Sequence, residues 1–245
     1  MFPDYSLDKI RFGTDSATFE KAVDLYGKGK VTKFEENIRV YSAVVLGSKP
    51  YQVSVEARRY DYGHCTCYLG EQDILCKHMV ALAIYAILRG KPIPEKDRQT
   101  ITSPISSGKL GELSKEESSD VKKKITDAFK YIKAYTGPSK LWFAYQCSLS
   151  EGVARMSAII SELPASKQTA EILIDLLLRL DKKVCNGGVD DSDGTVGTFM
   201  QEVVMVLEEY TKIDPKVVES FKKLKGKETC FGWEEPLLKL ISKNE

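Results

Sequence analysis

The sequence is nearly empty of histidine. Two His, at positions 64 and 78 of 245 residues, leave little material for acid–base catalysis. No run of about 18 apolar residues occurs, so no membrane-spanning helix is expected. The start, Met1 to Asp8, has neither the basic nor the apolar stretch of a signal peptide. These absences point to a cytoplasmic location, where thiols stay reduced and clustered Cys read as ligands rather than disulfides. An excess of charge of one sign is missing too. With 36 Lys+Arg against 35 Asp+Glu, the formal charge of +1 excludes a protein that grips nucleic acid along its whole surface, and any such contact must be local. A phosphate loop is also absent: Gly29-Lys30 is followed by Val31 and lacks the earlier Gly, which leaves a plain turn.

What is present has the profile of a soluble globular protein of one or two domains, 42% hydrophobic and 29% charged. From Lys91 to Ser114 the chain carries Pro92, Pro94, Pro104, Gly108 and Gly111 among several Ser, a composition that breaks helix and strand. This stretch, 91–114, is expected to be a linker between a domain at 1–90 and a second at 115–245. Phe19, Ala22, Val23 and Tyr26 fall at helical spacing behind Asp15 and Ser16, either of which can cap, and Gly27 and Gly29 stop that helix. Apolar stretches at 31–34 and 40–46 follow. Tyr51, Val53 and Val55 then alternate with polar residues after the turn Gly47-Ser48-Lys49-Pro50. The run Met79 to Leu88 is apolar nearly all round and predicts a buried helix closed by Gly90 and Pro92. The first domain is therefore expected to be α+β, with a small antiparallel sheet and one buried helix.

After the linker the apolar spacing is helical throughout. Stripes run through Val121, Ile125, Ala128, Ile132 and Tyr135, then through Leu149, Val153, Met156, Ile160 and Leu163. Ser166 opens a helix carrying Ile172 to Leu180, and Thr195 opens another with Phe199, Val203, Val206 and Leu207. Asp214-Pro215 begins one with Val218, Phe221 and Leu224, and a final short helix starts near Glu234-Glu235-Pro236. Consecutive amphipathic helices predict an all-α helical bundle or a helix-hairpin solenoid.

Chemistry concentrates at Cys65-x-Cys67, eight residues, then Cys76-x-His78. Three thiolates and one imidazole complete a tetrahedral zinc set. Cys65 and Cys67 are two apart, so on an extended segment both sulfurs point to one side. On a helix, residues two apart diverge, which places Cys76 before the buried helix and His78 in its first turn. Gly70 and the polar Glu71-Gln72-Asp73 supply the loop that brings the second pair back to the first. A closed four-ligand set is structural, since catalytic zinc keeps one position open for water.

This pattern, preceded by Tyr51-Gln52-Val53-Ser54-Val55 and continued as Cys76-Lys77-His78-Met79-Val80-Ala81-Leu82, resembles a SWIM zinc finger. The resemblance reaches back through Leu25 to Val31 and covers about residues 15–90, leaving the linker and the helices outside it. It implies a ββα zinc module that binds DNA or protein partners, with Cys65, Cys67, Cys76 and His78 as ligands. The family often joins this module to an ATPase or a transposase domain, and this chain carries neither.

Other residues are weighed beside the motif. His64 is expected to be solvated or to support the ligands. Cys147, Cys185 and Cys230, scattered in apolar helical stretches, are expected to be buried thiols without a role. Asp190-Asp191-Ser192-Asp193-Gly194 departs from a calcium loop, since Val189 and Met200 stand where oxygen ligands belong. An acidic flank to the Thr195 helix is expected, with a partner-docking loop as the alternative. Arg58, Arg59 and Lys77 bracket the metal motif, Lys28, Lys30 and Lys33 mark the turn before the sheet, and Tyr60, Tyr62 and Tyr68 interleave with the arginines. That is the composition of a surface that stacks on bases or buries against a partner. The expected protein is a non-catalytic adaptor with one structural Zn2+. Its zinc module contacts DNA or protein, its helical domain docks a partner, and the alternative is a protein-only adaptor for a separately encoded ATPase.

Overall fold

Side-chain capping sets several of the helix starts. The computed structural model describes residues 3–242, so the outermost ends of the two expected domains lie outside the described residues. The chain divides into two units, Met1–Thr100 and Ile101–Glu245, each with its own apolar core.

In the first unit, Ser6 caps α1 (Leu7–Gly13) by accepting from the Lys9 N–H, and Asp15 caps α2 (Ser16–Gly27) by accepting from the Thr18 N–H. Four antiparallel strands follow in the order of the sequence: β1 (Val31–Asn37), β2 (Val40–Leu46), β3 (Pro50–Glu56) and β4 (Gly63–Cys65). The alternation of β2 buries Tyr41, Ala43 and Val45, and that of β3 buries Val53 and Val55. Onto this face packs α3 (Lys77–Leu88), whose residues His78 to Ile84 are all buried. The mixed α/β character, with the cysteines beside the sheet, follows from this layering. The short α1 escapes the sequence reading because its seven residues bury only Ile10 and Arg11. Arg11 donates to Asp97 at 3.0 Å and to the Gln99 carbonyl at 2.9 Å, which anchors the end of this unit.

The second unit is helical: α4 (Lys115–Ala128), α5 (Trp142–Glu162), α6 (Lys167–Cys185), α7 (Thr195–Ile213), a 3-10 segment Pro215–Leu224 and α8 (Glu235–Ser242). Ser114 and Glu117 form a reciprocal capping box on α4, and Ser166 caps α6. The apolar stripe of α4 was expected to run to Tyr135, but the helix ends at Ala128. Beyond it the Tyr131 carbonyl accepts from the Ser148 hydroxyl and the Tyr135 N–H donates to the Gly188 carbonyl, so neighbouring segments take the two groups that a longer helix would pair with each other. Within the stretch Lys91–Ser114, Ile93 joins the first core, while Ser107 bonds the Leu163 carbonyl and Leu110 bridges to Ala165 in the second unit. Among the described residues no helix is long and apolar enough to cross a membrane.

Candidate metal centre

Sheet register delivers the first ligand. Cys65 lies opposite Val53 in the β3–β4 ladder, so its side chain shares the buried face of Val53 and Val55. His64, one position earlier, lies opposite Ser54, points to the other face and is exposed. It takes no part in the cluster. The chain then passes Cys67 and turns through the 3-10 segment Gly70–Gln72. This turn needs glycine: a Cβ on Gly70 would sit 2.3 Å from the Cys65 carbonyl oxygen and 2.5 Å from its Cβ. The same close approach lets the Gly70 N–H donate to Cys67 Sγ at 3.4 Å. Cys76 arrives as the N-cap of α3, and His78 sits in the helix's first turn. The structure thus brings together the four residues that the spacing singled out.

The four ligand atoms all lie within 4.8 Å of one another, and all four residues are buried. His78 presents Nδ1, which stands 3.7 Å from Cys65 Sγ and 3.8 Å from Cys76 Sγ. For bonds of about 2.3 Å to sulfur and about 2.0 Å to nitrogen at tetrahedral angles, the sulfur-to-nitrogen edge is about 3.5 Å. The donor set therefore fits a metal ion of that size, and Cys65, Cys67, Cys76 and His78 are positioned to bind one. The opposite ring nitrogen, Nε2, is buried and makes no hydrogen bond. It faces Gly47, where a Cβ would approach it to 2.9 Å, and Tyr51 stacks on the imidazole at 4.3 Å between ring centroids. The ring is wedged so that only Nδ1 reaches the sulfurs.

The thiols are electrostatically unequal. Side-chain hydrogen bonding between Cys65 and Cys76 raises the first thiol and lowers the second. Burial raises both, and contact with His78 lowers Cys76 further. A metal ion would replace the shared proton and make both sulfurs thiolates.

The basic residues around the site are less available than the sequence suggested. Arg58 pairs with Asp4 at 3.7 Å, and Arg59 pairs with Asp61 at 2.7 Å while stacking on Tyr62 at 4.2 Å. Lys77 is the first residue of α3. Tyr60, grouped with the surface tyrosines by sequence, is buried: it packs edge-on against Tyr5 at 5.7 Å and accepts from the Thr14 hydroxyl at 3.2 Å. Tyr62 and Tyr68 are exposed.

The remaining cysteines depart from the expected buried thiols. Cys147 is exposed, because it lies two residues from both Tyr145 and Leu149 and so on the far side of α5 from that stripe. Cys185 and Cys230 are bonded to each other across 45 residues, a pairing that no local pattern announces. The acidic loop caps α7: Asp191 accepts from the Val196 and Gly197 N–H groups at 2.7 and 2.8 Å. Burial raises the Asp191 carboxyl above its ordinary range, against the pull of those two donors. Comparison of the chain with protein families, with curated proteins and with solved structures returns no match.

Proposed function

We propose that this chain is a non-catalytic, SWIM-like zinc protein whose metal builds a surface for recognising a partner. The observation that carries this reading is the closure of four buried soft donors on one point. Three thiols and an imidazole select zinc among common divalent ions, and a complete set of four leaves no position for a reacting water. The only other histidine is exposed on the opposite face of β4, so the site has no spare base. The zinc module contacts DNA or protein, and the helical unit docks a partner.

Contact with protein alone, such as a separately encoded ATPase, is the favoured form. Between residues 57 and 78, Arg58, Arg59 and Lys77 are balanced by Asp61, Glu71 and Asp73, which leaves no net charge to track a phosphate backbone. Both arginines already have carboxylate partners. The metal loop instead exposes Tyr68, Leu69 and Ile74, side chains suited to a protein interface.

Elemental analysis of the purified chain should return one zinc, and Cys67→Ser should lose it. Immobilised zinc-loaded protein, treated with nuclease, should then retain a defined partner. DNA affinity that falls steeply with salt would instead establish the nucleic-acid form. Absence of zinc, or catalytic turnover that depends on it, would reject the proposal.

A further inference from the structure

The end of α6 meets the turn Cys230–Gly232 at a second cluster of cysteines, separate in residues and purpose from the zinc set. Asp181 and Cys185 stand one helical turn apart on α6. Cys230 reaches them from 45 residues downstream, with its Cα 6.1 Å from that of Cys185. That separation lies inside the span of a disulfide. Asp181 supplies the registration: its Oδ1 accepts from the Cys230 backbone N–H and from Trp233 Nε1, both at 2.9 Å. Neither bond involves sulfur, so the clamp can hold Cys230 opposite Cys185 with or without a covalent link. Both cysteines are half-buried, within reach of a small thiol reagent, whereas the zinc-site thiols are buried.

We propose that Cys185 and Cys230 are a reversible dithiol–disulfide pair, a redox modification site that fastens residues 230–242 to α6. The oxidant is a low-molecular-weight disulfide such as oxidised glutathione. One protein thiolate attacks a sulfur of the reagent, forms a mixed disulfide and releases one reduced thiol. The second protein thiolate attacks the mixed disulfide at the protein sulfur, closes the Cys185–Cys230 bond and releases the second reduced thiol. The protein gives up two electrons, the reagent gains them, and the two thiol protons end on the released thiols. The second attack is intramolecular, and the Asp181 clamp raises the effective concentration of the second thiolate, which favours closure over a persistent mixed disulfide. The fastened segment is part of the core, since Trp233, Leu237 and Ile241 are all buried in it. Reduction therefore loosens the end of the chain while the clamp and this packing keep it in place.

The full zinc-loaded chain would be equilibrated across graded ratios of reduced to oxidised glutathione, quenched by alkylation and mapped by mass spectrometry. Cys185 and Cys230 should pass together, with one midpoint, from both alkylated to linked. Hydrogen exchange over 230–242 should be faster in the reduced state. Asp181→Ala should leave a larger share of the two residues as the glutathione mixed disulfide at intermediate ratios, because the second thiol is no longer held in position. Cys185→Ser should fold and exchange over 230–242 at the reduced-state rate at every ratio. Independent alkylation of the two residues at every ratio would overturn the proposal, as would a link that survives excess dithiothreitol in the folded chain. So would a second bound metal that Cys230→Ser removes, since Asp181, Cys185 and Cys230 would then be ligands.

Discussion

At the scale of single residues, two glycines shape the candidate metal site without being ligands. Gly70 passes so close to Cys65 that an added methyl meets backbone, which cannot rotate away. Gly70→Ala must therefore shift the turn and draw the Gly70 N–H off Cys67 Sγ. Gly47→Ala meets the side chains of His78 and Tyr51, each 2.9 Å from the new carbon, and has more room to adjust. Groups that orient ligands typically cost about 10- to 100-fold in metal affinity when lost, so Gly70→Ala should fall in that range and Gly47→Ala at its lower end. Gly27→Ala is the control, because nothing lies within 4 Å of its added carbon. Chelator competition on the full chains measures all three, and an unchanged affinity for Gly70→Ala would contradict the close approach. The ligands themselves were legible in the sequence, since Cys65 to His78 lie within one short stretch whose spacing carries the geometry. The wedge of Gly47 and Tyr51 on His78, and the pairing of Cys185 with Cys230, depend on distant backbone approaches and leave no periodic trace.

Among elements, legibility follows length and capping. The strands at 40–46 and 50–56 and the buried helix alternate or repeat long enough to declare themselves, and Ser166 and Asp214 stand at the starts where their side chains accept N–H groups. The seven-residue α1 offers too short a pattern, and α4 stops early for reasons that lie on α5 and in the turn after α6. The acidic loop has a testable structural role here. Both Asp191 oxygens accept from the first turn of α7, whose own N-cap position is Gly194 and offers no side chain. Asp191→Ala should lower the stability of the helical unit by about 1 kcal/mol, the usual size of a lost cap. Both tryptophans, Trp142 and Trp233, lie in that unit, so urea unfolding followed by tryptophan emission reports it directly. A midpoint equal to the parent's would assign the loop to some role other than capping.

Across the whole molecule the metal should govern one unit and leave the other unaffected. The first unit has about 100 residues, a size at which an apolar core leaves only a modest margin. Its four candidate metal ligands lie at the end of β4, in the turn after it and at the N-terminus of α3, so a bound ion would tie these into one joint. A structural zinc contributes apparent free energies of about 10 to 16 kcal/mol near neutral pH, more than that margin. The second unit draws its core from Ile125 through Ile241 and includes none of the ligands. Chelation should therefore abolish amide protection over Val31–Glu56 and Lys77–Leu88. Tryptophan emission, which comes only from the helical unit, should stay unchanged. Acidification should act in the same direction, because protons compete with the metal for the thiolates and for His78 Nδ1. Hydrogen exchange and fluorescence on one metal-stripped sample separate the outcomes. Retained protection in the sheet would mean that the apolar core suffices without metal. A red-shifted emission would mean that the helical unit depends on the first unit for its fold.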